Sequence, residues 1–214
     1  MSELFSIQLQ NRQQQGRDGV WLDLPTTTEQ VQAALRQIGI SSDNPQGLFI
    51  SGYFAEEEKR FAIPYNMVLA SNVDELNFLA SRLETLSTGE RAELNAALQA
   101  PQSELFSIGR ITDFPENVDY YVHLPDVHGP AQLGDYYLNR SGMVDMPEEW
   151  KGGIDTAQFG RYVAQQEQGA FTQYGYLVKS GDEWQKVHEG QPVPEEYRVL
   201  SFPAPEVLRD SANI

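Results

Sequence analysis

Short alternating runs that give way to helical spacing and then return predict an α+β protein, an elongated chain of small domains. Three observations carry that prediction. Strand-like alternation opens the chain, two segments with helix start signals fill its middle, and short strands mixed with helix caps resume after residue 103.

Leu4 to Asn11 alternates apolar and polar residues, and Val20-Trp21-Leu22-Asp23-Leu24 answers it across a turn-rich stretch, so the two form a hairpin with a long loop. Trp21, inside that alternation, is read as core or half-core rather than as a ligand platform. Thr26-x-x-Glu29 has the capping-box pattern, and Val31, Ala34, Leu35 and Ile38 line one helical face up to Gly39, the C-terminal stop. Leu48 to Phe54 is the third strand. Residues 1–64 are therefore a ββαβ domain.

Residues 65–102 read as a central helical domain. Ser71 or Asn72 caps a helix striped by Val73, Leu76, Leu79, Leu83 and Leu86; Ser87-x-x-Glu90 opens a second, with Leu94, Ala97 and Leu98, that Pro101 closes. Neither helix is basic, so a DNA-reading role is excluded despite the helix-turn-helix outline.

Residues 103–180 read as an acidic α/β domain. Ser103 caps a short helix, Val118 to Leu124 is a strand, and Pro130 opens a helix with Leu133, Tyr136 and Tyr137 inward. Pro147 to Trp150 is a helical turn, and Asp155 caps a helix carrying Phe159, Tyr162 and Val163 that ends at Gly169. Tyr174 to Lys179 and Glu183 to Val187, joined by Gly181-Asp182, form a hairpin, and Tyr197 to Phe202 adds a strand in a C-terminal extension, 181–214. The hexapeptide SELFSI stands at residues 2–7 and again at 103–108, but it continues as strand in the first copy and as helix in the second. Nothing beyond it aligns, so the repeat is a coincidence rather than a duplicated domain.

With 214 residues the chain can bury a proper core, and without cysteine it has neither disulfides nor thiolate metal sites. No basic leader precedes an apolar run, and no stretch reaches membrane-span length, so a soluble cytoplasmic protein is expected. The net charge is −16, from 31 acids and 15 bases, which makes nucleic acid an improbable direct ligand. That charge is uneven: residues 1–55 carry −2, 56–112 carry −4, 113–155 carry −7 and 156–214 carry −3.

Catalytic motifs are missing. The chain has no G-x-S-x-G, no phosphate-binding P-loop and no dinucleotide G-x-G-x-x-G, and His123-x4-His128 passes through a loop with no third ligand. Adjacent Glu148 and Glu149 do not face one another across a scissile bond and read as helix-start acids. No cofactor, metal or catalytic residue is assigned. Trp150, between Glu149 and Lys151, reads either as a packing residue or as an interface anchor.

Several phrases occur in the order seen in the ArdA antirestriction family. They are Gly19-Val20-Trp21-Leu22-Asp23-Leu24-Pro25, Glu75-Leu76-Asn77, Leu133-Gly134-Asp135-Tyr136-Tyr137, Phe159-Gly160-Arg161, and Gly169-Ala170-Phe171 through Gly175-Tyr176. The chain resembles that family from residue 5 to about 180 and then runs on for more than thirty residues. The resemblance implies an acidic, non-catalytic homodimer, carried by conjugative mobile elements, that imitates B-form DNA and occupies the DNA-binding groove of Type I restriction-modification enzymes.

On this reading Asp113, Glu116, Asp119, Asp126, Asp135, Asp145, Glu148, Glu149 and Asp155 stand where phosphates would, with Glu56, Glu57 and Glu58 as a smaller outpost, partly offset by Lys59 and Arg60. The resemblance also places the dimer contact at Met143, Val144, Met146 and Trp150. Duplex DNA carries one charge per roughly 1.7 Å, so 16 charges on one surface match only about 27 Å, and two chains double the length. Other readings are inhibition of another DNA-groove nuclease such as a CRISPR effector, a hydrolase with carboxylates of split pKa in a cleft, and an acidic scaffold for a basic partner unrelated to DNA.

Overall fold

The computed structural model describes residues 3–14, 18–57 and 60–203. Among them are eight α-helices and two three-stranded antiparallel sheets, an α+β fold. The chain packs as two units. One comprises the described residues of Met1–Arg60, Pro64–Glu84 and Pro192–Ile214; the other comprises Phe61–Ile63 and Thr85–Gln191.

In the first unit, β1 (Phe5–Asn11) lies between β2 (Val20–Leu24) and β3 (Leu48–Phe54), antiparallel to both, with a bulge between Gln8 and Leu9. Alternation sends Phe5, Ile7, Leu9, Leu22, Leu24 and Ile50 to the buried face, where α1 (Thr28–Gln37) adds Val31, Ala34 and Leu35. The expected capping box is displaced by one residue: Thr27 and Gln30 form it, because the Thr26 N–H donates instead to Asn77 Oδ1 at 2.7 Å. Gly39 stops the helix at φ +67°, a conformation that glycine adopts without steric penalty. The short α2 (Tyr65–Leu69) follows, and α3 (Val73–Leu83) starts at the Asn72–Glu75 box.

The end of the described chain is pinned to α3. Asp74 Oδ1 accepts the Val199 and Leu200 N–H groups, each at 2.7 Å; Asn77 donates to the Tyr197 carbonyl; and the Tyr197 ring lies 4.7 Å from that of Phe78. Tyr197 to Phe202 is accordingly not the expected strand, since two of its donors are taken by a side chain rather than by a ladder.

The second unit begins with α4 (Thr88–Gln99), entered through the Ser87–Glu90 box. Next comes α5 (Ile108–Thr112), capped by Ser107 and not by Ser103, whose hydroxyl instead accepts the Leu105 N–H. β4 (Tyr121–Leu124) is shorter than predicted because Val118–Tyr120 winds into a 3-10 turn. α6 (Pro130–Asp135) runs into a π-helical turn, Tyr136–Arg140; α7 (Glu148–Lys151) and α8 (Thr156–Gln166) follow, the latter capped by Asp155. β5 (Ala170–Thr172) and β6 (Gly175–Lys179) complete a sheet of order β4-β6-β5.

Two glycines set the packing of α6 on α8. A Cβ at Gly160 would overlap the Pro130 carbonyl and stand 2.7 Å from the Gly134 nitrogen, and one at Gly134 would overlap the Thr156 carbonyl. Backbone therefore touches backbone, and Leu133, Val127 and Tyr176 close the core beneath, with Tyr136, Tyr137, Val163 and Phe171 against them. The Tyr137 and Tyr176 hydroxyls donate to the two oxygens of Glu167, at 2.8 and 2.5 Å. Burial and this carboxylate push both phenols well above their ordinary pKa.

The predicted hairpin of Tyr174–Lys179 with Glu183–Val187 does not form. β6 turns back on β5, and residues 183–187 are held by side chains of residues 113–117.

Candidate functional site

Sixteen acids and seven bases fall in the second unit, a net of −9. What the bases do decides where that charge is felt. Arg110 is buried, its guanidinium 4.7 Å from the Phe106 ring and 5.2 Å from Trp184, and it bonds Glu104 at 2.8 Å and Glu189 at 3.3 Å. Lys179 joins Glu104 at 2.6 Å, and Lys186 joins Glu189 at 3.4 Å. Hydrogen bonding to Lys179, reinforced by Arg110, holds Glu104 below the usual carboxylate range and Lys179 above its own. Of the remaining bases, Lys151 pairs with Glu148 at 2.6 Å and Arg140 with Asp135 at 3.4 Å.

Those ion pairs leave a specific set of acids uncompensated. Asp119, Asp126, Asp145, Glu149 and Asp155 are exposed and form no ion pair among the described residues. Glu116 and Glu148 are exposed as well, and Asp135 is half-buried. In the first unit Glu56 and Glu57 are exposed; Glu58 lies outside the described residues.

Asp113 is placed quite differently from the surface position expected of it. It is 0% exposed, and its carboxylate accepts the N–H groups of Val187, His188 and Glu189 at 3.2, 2.6 and 3.1 Å. Beside it Asn117 clasps Gln185 through both its N–H and its carbonyl. A carboxylate surrounded by three backbone donors is an anchor for the extension, not a phosphate substitute.

A second acid is missing from the sequence-based set. Glu93 on α4 is half-buried with Oε1 unpartnered, and burial, with Asp119 and Glu90 adding repulsion, pushes it up to about 8. Only its i,i+3 relation to Glu90 was legible; Asp119 is brought near by the fold.

At the expected dimer contact Met143 is 75% and Trp150 69% exposed, while Val144 and Met146 are half-buried. Trp150 is thus no packing residue of its own unit. His123 Nε2 lies 2.7 Å from the Tyr174 carbonyl, an intra-sheet hydrogen bond. A pocket of about 130 Å³ between Pro101, Tyr121, Gly169 and Leu177 has Glu167 as its one acid, with both oxygens already taken by tyrosine.

The phrases quoted above from Leu133 to Tyr176 turn out to be the α6–α8 crossing and the β5–β6 hairpin over it, including Gly169, where a Cβ would overlap the Tyr176 hydroxyl. The sequence model of the antirestriction protein (ArdA) family matches residues 15–178. The chain belongs to the ArdA family. No curated protein matches it. The ArdA segment thus ends inside β6, and the Asp113 and Asp74 anchors both receive backbone from residues beyond it. Among the described residues, no helix is long and apolar enough to cross a membrane.

Proposed function

We propose that this ArdA-family chain is a non-catalytic antirestriction protein that mimics B-form DNA and occupies the DNA-binding groove of Type I restriction-modification enzymes. The observation that carries this reading is the set Asp119, Asp126, Asp145, Glu149 and Asp155, exposed and without an ion pair among the described residues. A groove built to bind phosphates presents lysine and arginine, and carboxylates at the surface offer it the same charge without a substrate to cut. Glu116, Asp135 and Glu148 belong to the same unit, the last two ion-paired with Arg140 and Lys151, and Glu56 and Glu57 are exposed acids of the first unit.

The protein acts as a homodimer in the cytoplasm, joined through Met143, Val144, Met146 and Trp150. Exposure of Met143 and Trp150 supports this, because large apolar side chains left at a surface are available to an interface. The test is the plating efficiency of unmodified phage on cells with a Type I system. Expression of the protein is expected to raise it, and purified protein to displace DNA from the methyltransferase core with a steep salt dependence. An unchanged plating efficiency with soluble protein present overturns the Type I assignment.

A further inference from the structure

The outer face of the first unit's sheet carries an aromatic pair that folding does not require. Trp21 on β2 is 49% exposed and Phe54 on β3 is 53% exposed, with ring centroids 6.5 Å apart, edge to face. Register puts Trp21 opposite Gln8 and Gln8 opposite Gly52, and a Cβ at Gly52 would meet Trp21 Cη2 at 3.0 Å. The indole therefore lies across the central strand, over the space that glycine leaves. About half of its surface remains open to solvent.

Two carboxylates gather in the next row. Asp23 sits two residues from Trp21 on the same face, about 7 Å along the strand. Its Oδ1 accepts the Ser6 hydroxyl at 2.8 Å, and Glu3 Oε1 lies 3.4 Å from the same hydroxyl. Ser6 is opposite Phe54, so acids and aromatics adjoin. Among the described residues neither Asp23 nor Glu3 forms an ion pair. At the other end of this face the guanidinium of Arg12 stands 5.4 Å over the Phe49 ring, an arginine on an aromatic of the same sheet.

We propose that Trp21, Phe54, Asp23 and Glu3 form a docking patch for an arginine side chain presented by a protein partner. A guanidinium is flat, lies on an indole face, and has donors at its edge for a carboxylate about one side chain away; a lysine ammonium satisfies the charge but not the stacking. Charge complementarity selects this occupant, because acids rim the patch and the chain's net −16 repels a nucleic acid. The inference goes beyond the antirestriction reading and holds for any protein target.

The experiment is a titration of the full chain with a blocked arginine hexapeptide, and with its lysine and glutamine counterparts, followed on the Trp21 indole N–H signal by NMR. It is run at about 0.3 M salt, where screening has cut the reach of distant charges below about 8 Å. The arginine peptide is expected to move that signal at a half-saturating concentration at least about threefold below the lysine peptide's, and Asp23→Asn to raise it about threefold. Trp21→Leu, at a half-exposed position, keeps the fold and is expected to abolish the response of the Ser6 and Phe54 amides. An unmoved indole signal, equal response to lysine, or amide shifts that survive Trp21→Leu overturns the proposal. None of these readings depends on a restriction enzyme.

Discussion

The two units use their acidic residues differently. In the first, Asp74 holds the backbone of residues 199 and 200, Glu75 closes a capping box and Asp23 accepts from Ser6. In the second, apart from Asp113, the ion-paired Glu104, Glu189, Asp135 and Glu148, and the α8 cap Asp155, the acids from Asp119 to Glu149 face solvent with little to hold. Net charge alone does not separate these roles. The inventory of donors and cations around each carboxylate does, and it moves Asp113 from the second group to the first.

Four changes test that division, beginning with the frame that displays the acids. Gly160→Ala drives a methyl into the Pro130 carbonyl, where no flexible side chain can yield, and is expected to destabilise the chain by about 3 kcal/mol in denaturant unfolding. Asp113→Asn keeps one acceptor but loses the charge that three N–H groups share, and is expected to cost about 2–3 kcal/mol. Should Asp113→Asn leave stability intact and weaken only inhibition, the contrast drawn here fails.

Glu93 gives a smaller effect with a defined pH dependence. Its pKa is raised from 4.5 to about 8, so the folded chain retains a proton that the unfolded chain has released. Stability is highest below about pH 4.5, falls as pH rises toward 8 and is flat beyond. Glu93→Gln is expected to remove that slope and to stabilise the protein at pH 8 by about 1–2 kcal/mol, allowing for solvent screening of a half-buried group; melting temperature against pH is the readout.

Least effect on stability, within about 0.5 kcal/mol, is expected when Asp119, Asp126, Glu149 and Asp155 are replaced together by Asn or Gln. Inhibition should nonetheless fall by at least about tenfold, and the salt dependence of competition with DNA should flatten. Unaltered potency places the active surface elsewhere.

Much of this fold was legible because local signals coincide with the bonds that form. Leu48–Phe54 is a strand from end to end, and the boxes at Asn72 and Ser87 are the observed helix starts. The parity of β2 even held the answer for Trp21: if Leu22 and Leu24 face the core, Trp21 and Asp23 face out. Weighing tryptophan as a large apolar residue concealed what its register stated.

Misreadings arose where a distant side chain replaced a local partner. Glu183 to Val187 alternates like a strand, yet its backbone meets Asp113 and Asn117. Thr26 and Thr27 offer equivalent caps until Asn77, fifty-one residues on, claims the first. The acids of the candidate surface were identified by type, but burial of Asp113 and the repulsion between Glu93 and Asp119 are properties of the folded chain.

The three N–H groups that complete Asp113 lie 74 to 76 residues downstream of it. Ribosomes add about 5–20 residues per second, so Asp113 leaves the site of synthesis about 4–15 s before its donors exist. During that interval the second unit carries, without its backbone donors, a carboxyl group that the finished protein buries. The surroundings of Asp113 are therefore completed only once residues 187–189 have been made, and the timing is set by the segment that lies beyond the ArdA match.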